Sequence, residues 1–348
     1  MVTTATPIVV GSDGHLPLPW LAEPLASAVA QRGHALLLHG GEGRGLFELA
    51  MTTAQALLCS QPVDGIRPCG TCEDCHLVQT QVHPDLNVLV PAALRPVLGW
   101  RADADDDEGE AKESKAKPSQ EIRIADLRAA IDWSALSVAR DRAKVLVIHP
   151  ATRMNPITAN ALLKTLEEPP GRLRLVLTAR SPRALLPTIA SRCQHLRVAP
   201  PDREAARAWL EAQGVNDADV LLRAAGEPLL ARDLAMQGID AAAWARVPAA
   251  VRRGDGSVFA GWPLPAVVDA LCKLCHDAMC VGAGDEARYF DTKLVPRGAS
   301  WAALREWSVD LTTAAAQSAH PWHALLAQDA LVLRASRVWA RDSARAAA

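Results

Sequence analysis

Apolar and polar positions follow two different rhythms along this chain. Through the first 200 residues, short and almost wholly apolar runs are separated by longer amphipathic stretches. The runs predict strands at 35–39, 86–90, 144–148, 173–177 and 195–198. Apolar runs this short, without alternation, suit strands buried on both faces. Helical periodicity occupies 18–32, 45–58, 124–137, 155–167 and 183–191. Strands taking turns with helices predict a parallel sheet with helices on both faces. After Pro200-Pro201-Asp202 the rhythm changes. The Pro-Pro pair ends the last strand, and Asp202 can cap a following helix. No further strand run appears. Helical patterns fill 202–238, punctuated by Gly226-Glu227-Pro228, and continue at 240–253, 263–282, 300–317 and 321–345. An α/β domain, a small helical module and a larger helical domain are expected.

The 348 residues are enough for two or three domains, and 49% apolar content is enough for real cores. One segment cannot join a core. Residues 101–121, Arg-Ala-Asp-Ala-Asp-Asp-Asp-Glu onward, carry no large apolar side chain and are expected to form an acidic disordered insertion. The formal charge of -2 excludes a strongly basic nucleic-acid coat protein. The charge is uneven, with 13 Lys and Arg against 5 Asp and Glu between 122 and 200. That leaves room for a basic face or for scattered solvated arginines. No long uncharged apolar window predicts a membrane span, and no signal peptide is expected at the N-terminus. Eight Cys without an export signal point to reduced thiols or a metal, in a cytoplasmic protein.

Two motifs carry candidate chemistry. The segment Leu36-Leu37-Leu38-His39-Gly40-Gly41-Glu42-Gly43-Arg44-Gly45 leads from a predicted strand into a predicted helix, the setting of a P-loop. Gly40, Gly43 and Gly45 could hold a phosphate weakly or not at all through backbone N–H groups. Leu46 stands where the Lys should be, and Phe47 where a hydroxyl should meet magnesium. A second half-site is equally altered. The strand Val145-Leu146-Val147-Ile148 ends in His149-Pro150, where an ATPase needs acids. Hydrolysis by this chain is therefore not expected.

Cys59, Cys69, Cys72 and Cys75 are spaced C-x9-C-x2-C-x2-C, with Pro62, Gly65, Pro68 and Gly70 between them. Four thiolates can close a tetrahedral shell, so a structural zinc is expected, set against a free or redox-active thiol cluster. His76 and His83 rank below the cysteines as ligands. Cys272, Cys275 and Cys280 lie in a helical pattern in which Val268, Leu271, Cys272, Cys275 and Met279 share a face, so these thiols are expected to act as core residues.

Residues 154–170 read Met-Asn-Pro-Ile-Thr-Ala-Asn-Ala-Leu-Leu-Lys-Thr-Leu-Glu-Glu-Pro-Pro. Asn155 can cap this helix, with Pro156 in its first turn. Ala161, Leu162, Leu163 and Leu166 give it an apolar face, and Pro169-Pro170 stops it. Ser191-Arg192-Cys193 follows, and Arg192 read alone is a surface or ion-paired arginine. In order, the chain presents the P-loop position, the four cysteines, His83-Pro84-Asp85, the Asn160–Pro170 helix and Ser-Arg-Cys. Over about 20–200 it resembles bacterial clamp-loader subunits of the AAA+ class.

The resemblance implies a RecA-like AAA+ domain at 1–199 with a zinc module at 59–83. It also implies a small helical lid at 200–242 and an all-α collar at 243–348. The tau/gamma motor subunits of that family keep the P-loop Lys and the acidic pair, which this chain lacks. What is implied is the non-hydrolysing ring member, without ATPase or polymerase activity of its own and without productively bound ATP. Arg192 becomes an arginine finger acting in trans, and the four cysteines become zinc ligands. The implied partners are tau/gamma and delta subunits in a hetero-pentameric ring, with the sliding clamp and primed DNA reached through the assembly, and no membrane. The competing readings are an active motor with an atypical P-loop and a zinc-dependent DNA-binding module. Arg180, just before the Ser181-Pro182 position where active members sense the γ-phosphate, is left open between a neighbouring site and solvent.

Overall fold

Five apolar runs form strands because their side chains find partners on both sides. β1 (Ala35–His39), β2 (Leu86–Leu89), β3 (Lys144–Ile148), β4 (Leu173–Ala179) and β5 (Gln194–Arg197) make one sheet, in the order β2-β3-β4-β1-β5. All four pairings are parallel, with Leu37 opposite Leu177 and His195, and Val147 opposite Val88 and Val176. This is the RecA-like arrangement of the AAA+ class. The structure, a computed structural model, describes residues 7–61, 68–100, 118–317 and 324–343. Pro62, Gly65 and the acidic stretch 101–117 lie outside the described residues. The chain divides into two compact units, Thr3–Ala205 and, chiefly, Ala206–Ala348.

In the first unit the helices are α1 (Ala22–Ala30), α2 (Leu46–Leu58), α3 (Glu73–Gln79), α4 (Ile124–Ala135), α5 (Pro156–Glu167) and α6 (Pro187–Ala190). One sheet face buries Leu37, Leu146, Ile148, Leu175 and Leu177 against Leu127 of α4, Leu162 and Leu166 of α5, and Ile189 of α6. The alternate residues Leu36, Leu38, Val145, Val147 and Val176 are buried as well, with α2 packed on β1, β3 and β4. At roughly 1.5–3 kcal/mol per buried aliphatic side chain, this two-sided burial is the main stabilising term. Asn155 caps α5 as expected, its Oδ1 accepting from the N–H of Thr158 at 2.9 Å.

Three expectations change. β5 is an edge strand paired only with β1, and Gln194, His195 and Arg197 are exposed rather than covered on both faces. The pattern at 183–191 is not one helix. A 3-10 turn at Pro182–Ala184 and the single turn of α6 divide it, because Pro187 has no N–H to continue a helical ladder. Finally, α3 forms among the cysteines where only a knuckle was expected.

The second unit is helical throughout its described residues. Its helices are α7 (Arg203–Ala212, which begins before the boundary), α8 (Ala218–Ala225), α9 (Pro228–Met236), α10 (Ala241–Arg253), α11 (Leu264–Gly282), α12 (Trp301–Gln317) and α13 (Ala324–Ser343). Trp244 of α10 stacks on Phe290, with ring centroids 4.8 Å apart. The buried Asp277 of α11 accepts from the N–H groups of Arg288, Tyr289 and Phe290, which fixes the loop that carries Phe290. Among the described residues, no helix is long and apolar enough to cross a membrane.

Candidate metal centre and phosphate loop

The helix α2 carries a candidate site at each end. At its C-terminal end, Cys59 closes the last turn, its N–H donating to Gln55 O at 2.9 Å. The chain returns through Cys69 and Gly70. Gly70 has φ +76°, and a Cβ there would lie 2.0 Å from Gly11 O, so only glycine fits. Cys72 then caps α3, its Sγ accepting from the N–H of Cys75 at 3.4 Å, while Cys69 Sγ accepts from the N–H of Cys72 at 3.3 Å. The four thiols are buried, and their sulfurs lie within 4.8 Å of one another. Cys69 and Cys75 are 3.8 Å apart, Cys59 and Cys72 4.0 Å. Tetrahedral Zn–S bonds of about 2.3 Å place sulfurs roughly 3.8 Å apart. The donor set therefore fits a four-coordinate thiophilic ion.

Burial raises the Cys72 thiol, but the N–H of Cys75 and the contacts of Ser60 outweigh it and bring it down to about 6. Burial raises Cys75. His76 is exposed and His83 lies apart from the sulfurs. His83 Nδ1 accepts from the N–H of Asp85 at 3.1 Å, and its Nε2 is 3.5 Å from Asp74 Oδ1. The Asp85 carboxylate accepts from the N–H groups of Ala139 and Arg140. The Arg140 guanidinium in turn pairs with Asp74 and Glu73 of α3. His83-Pro84-Asp85 is thus a brace between the cysteine module and the lead-in to β3, a role the motif alone did not reveal.

At the N-terminal end of α2 the backbone of a phosphate loop is intact. The Gly40 N–H donates to Ala179 O at 3.3 Å. Gly43 and Gly45 have φ of +87° and +89°. A Cβ on Gly45 would lie 2.2 Å from Leu18 Cδ1. The side chains are another matter. Leu46 is half-buried and Phe47 is 3% exposed. The Phe47 ring lies 4.8 Å from the His149 ring and 6.4 Å, edge-on, from Trp100. His149 Nδ1 is 2.7 Å from Thr178 Oγ1. Burial lowers His149 to about 4, so it is neutral at ordinary pH. Where an ATPase brings together hydroxyl, magnesium and acid, this chain places a phenyl ring against a neutral imidazole. The two altered motifs fill one space. Their separation of about a hundred residues hid that contact from the sequence. The signal was there only as an apolar residue and a non-acidic residue in paired positions.

The loop is also tied from outside. Trp20 Nε1 donates to Arg44 O at 2.8 Å, and Arg44 Nη1 to Val198 O at 3.0 Å. Arg180, which the sequence left open, reaches the loop of its own chain, Nη2 lying 2.7 Å from Glu42 Oε2. Arg192 follows α6 on the surface. Its Nε donates to Glu167 Oε1 at 2.8 Å and its Nη1 to Thr188 O at 2.9 Å. Cys275 is buried with its thiol toward Leu304 O at 3.6 Å, while Cys272 and Cys280 are half-buried.

A family model described as DNA polymerase III, delta subunit, matches residues 23–202. DNA polymerase III subunit delta′ of Pseudomonas aeruginosa is 32% identical over 280 residues, which cover 74% of this chain and 77% of that protein. The chain belongs to the DNA polymerase III delta′ family. The delta′ subunit of Escherichia coli K12 is 35% identical over 219 residues, spanning 60% of this chain and 58% of that protein. DNA polymerase III subunit tau of the same organism is 28% identical over 274 residues, or 78% of this chain and 38% of tau. For a delta′ family member, the matched segment holds every feature of α2 just described: the glycine loop, the plug behind it and the four cysteines.

Proposed function

We propose that this chain is the non-hydrolysing delta′ subunit of a cytoplasmic DNA polymerase III clamp loader. It acts as a rigid member of a hetero-pentameric ring with tau/gamma and delta subunits, and the ring places the sliding clamp on primed DNA. Residues 200–242 serve as the lid and 243–348 as the collar. The observation that carries this reading is the contact of Phe47 with His149, supported by Leu46 in the lysine position. Mg-ATP hydrolysis needs a cation on the phosphates and oxygens on magnesium. Here the glycine loop keeps its shape but lacks the lysine, its Arg44 is held on Val198 O, and the phenyl ring of Phe47 stands at the hydroxyl's position in the motif.

The chain's contribution to the reaction is Arg192, presented in trans. Its guanidinium is half-exposed and paired with Glu167, so it exchanges that partner for the γ-phosphate of a neighbour's ATP. An arginine finger stabilises charge on the transferred phosphoryl and is worth about 10³–10⁵ in rate in GTPase systems. Cys59, Cys69, Cys72 and Cys75 hold one zinc. A closed four-thiolate shell has no open position, so the ion supplies folding energy and no catalysis.

The test is DNA- and clamp-stimulated ATP turnover by reconstituted motor subunits, with wild-type chain or Arg192→Ala. Reduced turnover in an intact complex is expected. Equal turnover would remove the finger while leaving the scaffold role.

A further inference from the structure

The Glu167–Arg192 pair joins two helix ends that share one core. Glu167 is the last residue of α5, and Arg192 follows α6. Leu166 and Ile189, close by in the chain, are buried in the same cluster, so neither backbone is free to drift. His34 Nε2 donates to Leu166 O at 2.7 Å and holds the end of α5 on the lead-in to β1. The N–H of Arg192 donates to Ile189 O at 3.1 Å. Between the side chains, a single carboxylate oxygen, Glu167 Oε1, accepts from Nε of Arg192 at 2.8 Å and also from its Nη2. On the other side of the guanidinium, Nη1 donates to Thr188 O at 2.9 Å. Glu167 therefore covers the Nε–Nη2 edge, one of the edges that a planar guanidinium offers to the oxygens of a carboxylate or a phosphate.

We propose that Glu167 is a resting stand-in for the γ-phosphate. Its carboxylate occupies the Nε–Nη2 edge of Arg192 until a neighbour's ATP displaces it, while Thr188 O keeps the guanidinium anchored. This rests on the reading of Arg192 as a finger acting in trans, and it adds the residue that regulates the finger. The stand-in is an anion, like the group it stands for, and it engages donors that a phosphate oxygen would use. The pair is open to an incoming phosphate, with the Arg192 and Glu167 side chains 36% and 51% exposed. An exposed pair is also weak, a factor of about five at most in an equilibrium, so a more highly charged phosphate can replace it. Local helix chemistry does not explain the carboxylate. Glu167 lies at the negative end of α5, where its charge is unfavourable unless a cation sits beside it. Its place is accounted for by Arg192.

The test is ATP turnover by motor subunits reconstituted with the full chain, clamp and primed DNA, each complex first shown intact by gel filtration. The chain is wild type, Glu167→Gln, Arg192→Ala or the double variant. Glu167→Gln is expected to raise kcat/KM by about two- to fivefold, the range an exposed ion pair allows. The gain should vanish in the Arg192→Ala background, because Glu167 acts only through the finger. A Glu167→Gln complex that matches wild type, or falls below it, overturns the proposal. So does a gain that persists in the double variant, or an equal gain from Glu168→Gln, which would trace the effect to net charge rather than to the contact. The two readings fail separately. If Arg192→Ala alone leaves turnover unchanged, the finger is lost and the stand-in with it. If Arg192→Ala lowers turnover and Glu167→Gln changes nothing, the finger stands and only the stand-in falls.

Discussion

The two ends of α2 make an instructive pair. At the C-terminal end the backbone and the side chains agree: Gly70 permits the turn, and four sulfurs converge at tetrahedral spacing. At the N-terminal end they disagree. Gly40, Gly43 and Gly45 keep the form of a phosphate cradle, but Leu46, Phe47 and His149 leave it without lysine, hydroxyl or acid. Backbone form and side-chain chemistry are thus separable. A glycine pattern reports the path of the chain, and only the residues around it report whether a reaction can occur there.

The largest effect expected from breaking this contrast falls on the cysteine end. Cys75→Ser removes one thiolate from a buried shell, and structural zinc sites contribute about 10 kcal/mol or more to folding in zinc-finger peptides. Metal content should fall to background, with a large drop in melting temperature. Retention of zinc by the variant would refute the assigned ligand set.

Next comes Arg192→Ala. At each coupled motor site the loss should approach the lower end of the finger range, about 10³ in single-turnover rate. Unchanged single-turnover kinetics would assign Arg192 to the Glu167 ion pair alone.

The plug itself should be worth nearly as much, but as stability. Phe47→Ala opens a cavity beside His149 and should cost about 3–5 kcal/mol in denaturant unfolding. A cost under about 1 kcal/mol would mean that the ring is not packed as described. Acid should sharpen the same point. His149 is held at about 4 in the fold, against about 6.5 when unfolded. Between those values the unfolded chain binds the extra proton, so stability falls as pH falls from about 6.5 to 4, by roughly 3 kcal/mol. His149→Asn should show a correspondingly smaller fall across that window, and an identical slope would contradict the assignment. The smallest effect belongs to Arg180→Ala. Its pair with Glu42 is largely exposed, so the change should stay within about 1 kcal/mol by thermal unfolding.

The sheet was legible because both faces of β1, β3 and β4 are covered, which leaves continuous apolar runs in the sequence. β5 was legible in position but not in burial, since an edge strand with Gln194, His195 and Arg197 outward has neighbours only on one side. The break at Pro187 carried a local signal in the missing N–H, whereas α3 depends on Cys72 capping it from within the knuckle. The cysteine module was readable because its donors are close in sequence. The brace from Arg140 to Asp74, and the contact of Phe47 with His149, join residues 66 and about a hundred positions apart. Nothing local marks either one, and only the fold brings them together.

The most direct measurement is Mg-ATP binding and turnover by the purified chain alone, compared with Gly45→Ala. The account predicts turnover at the level of the blank for both proteins, with no magnesium-dependent rise in nucleotide affinity. Turnover that scales with the chain and disappears with Gly45→Ala would place a working ATPase in the loop and overturn the plug.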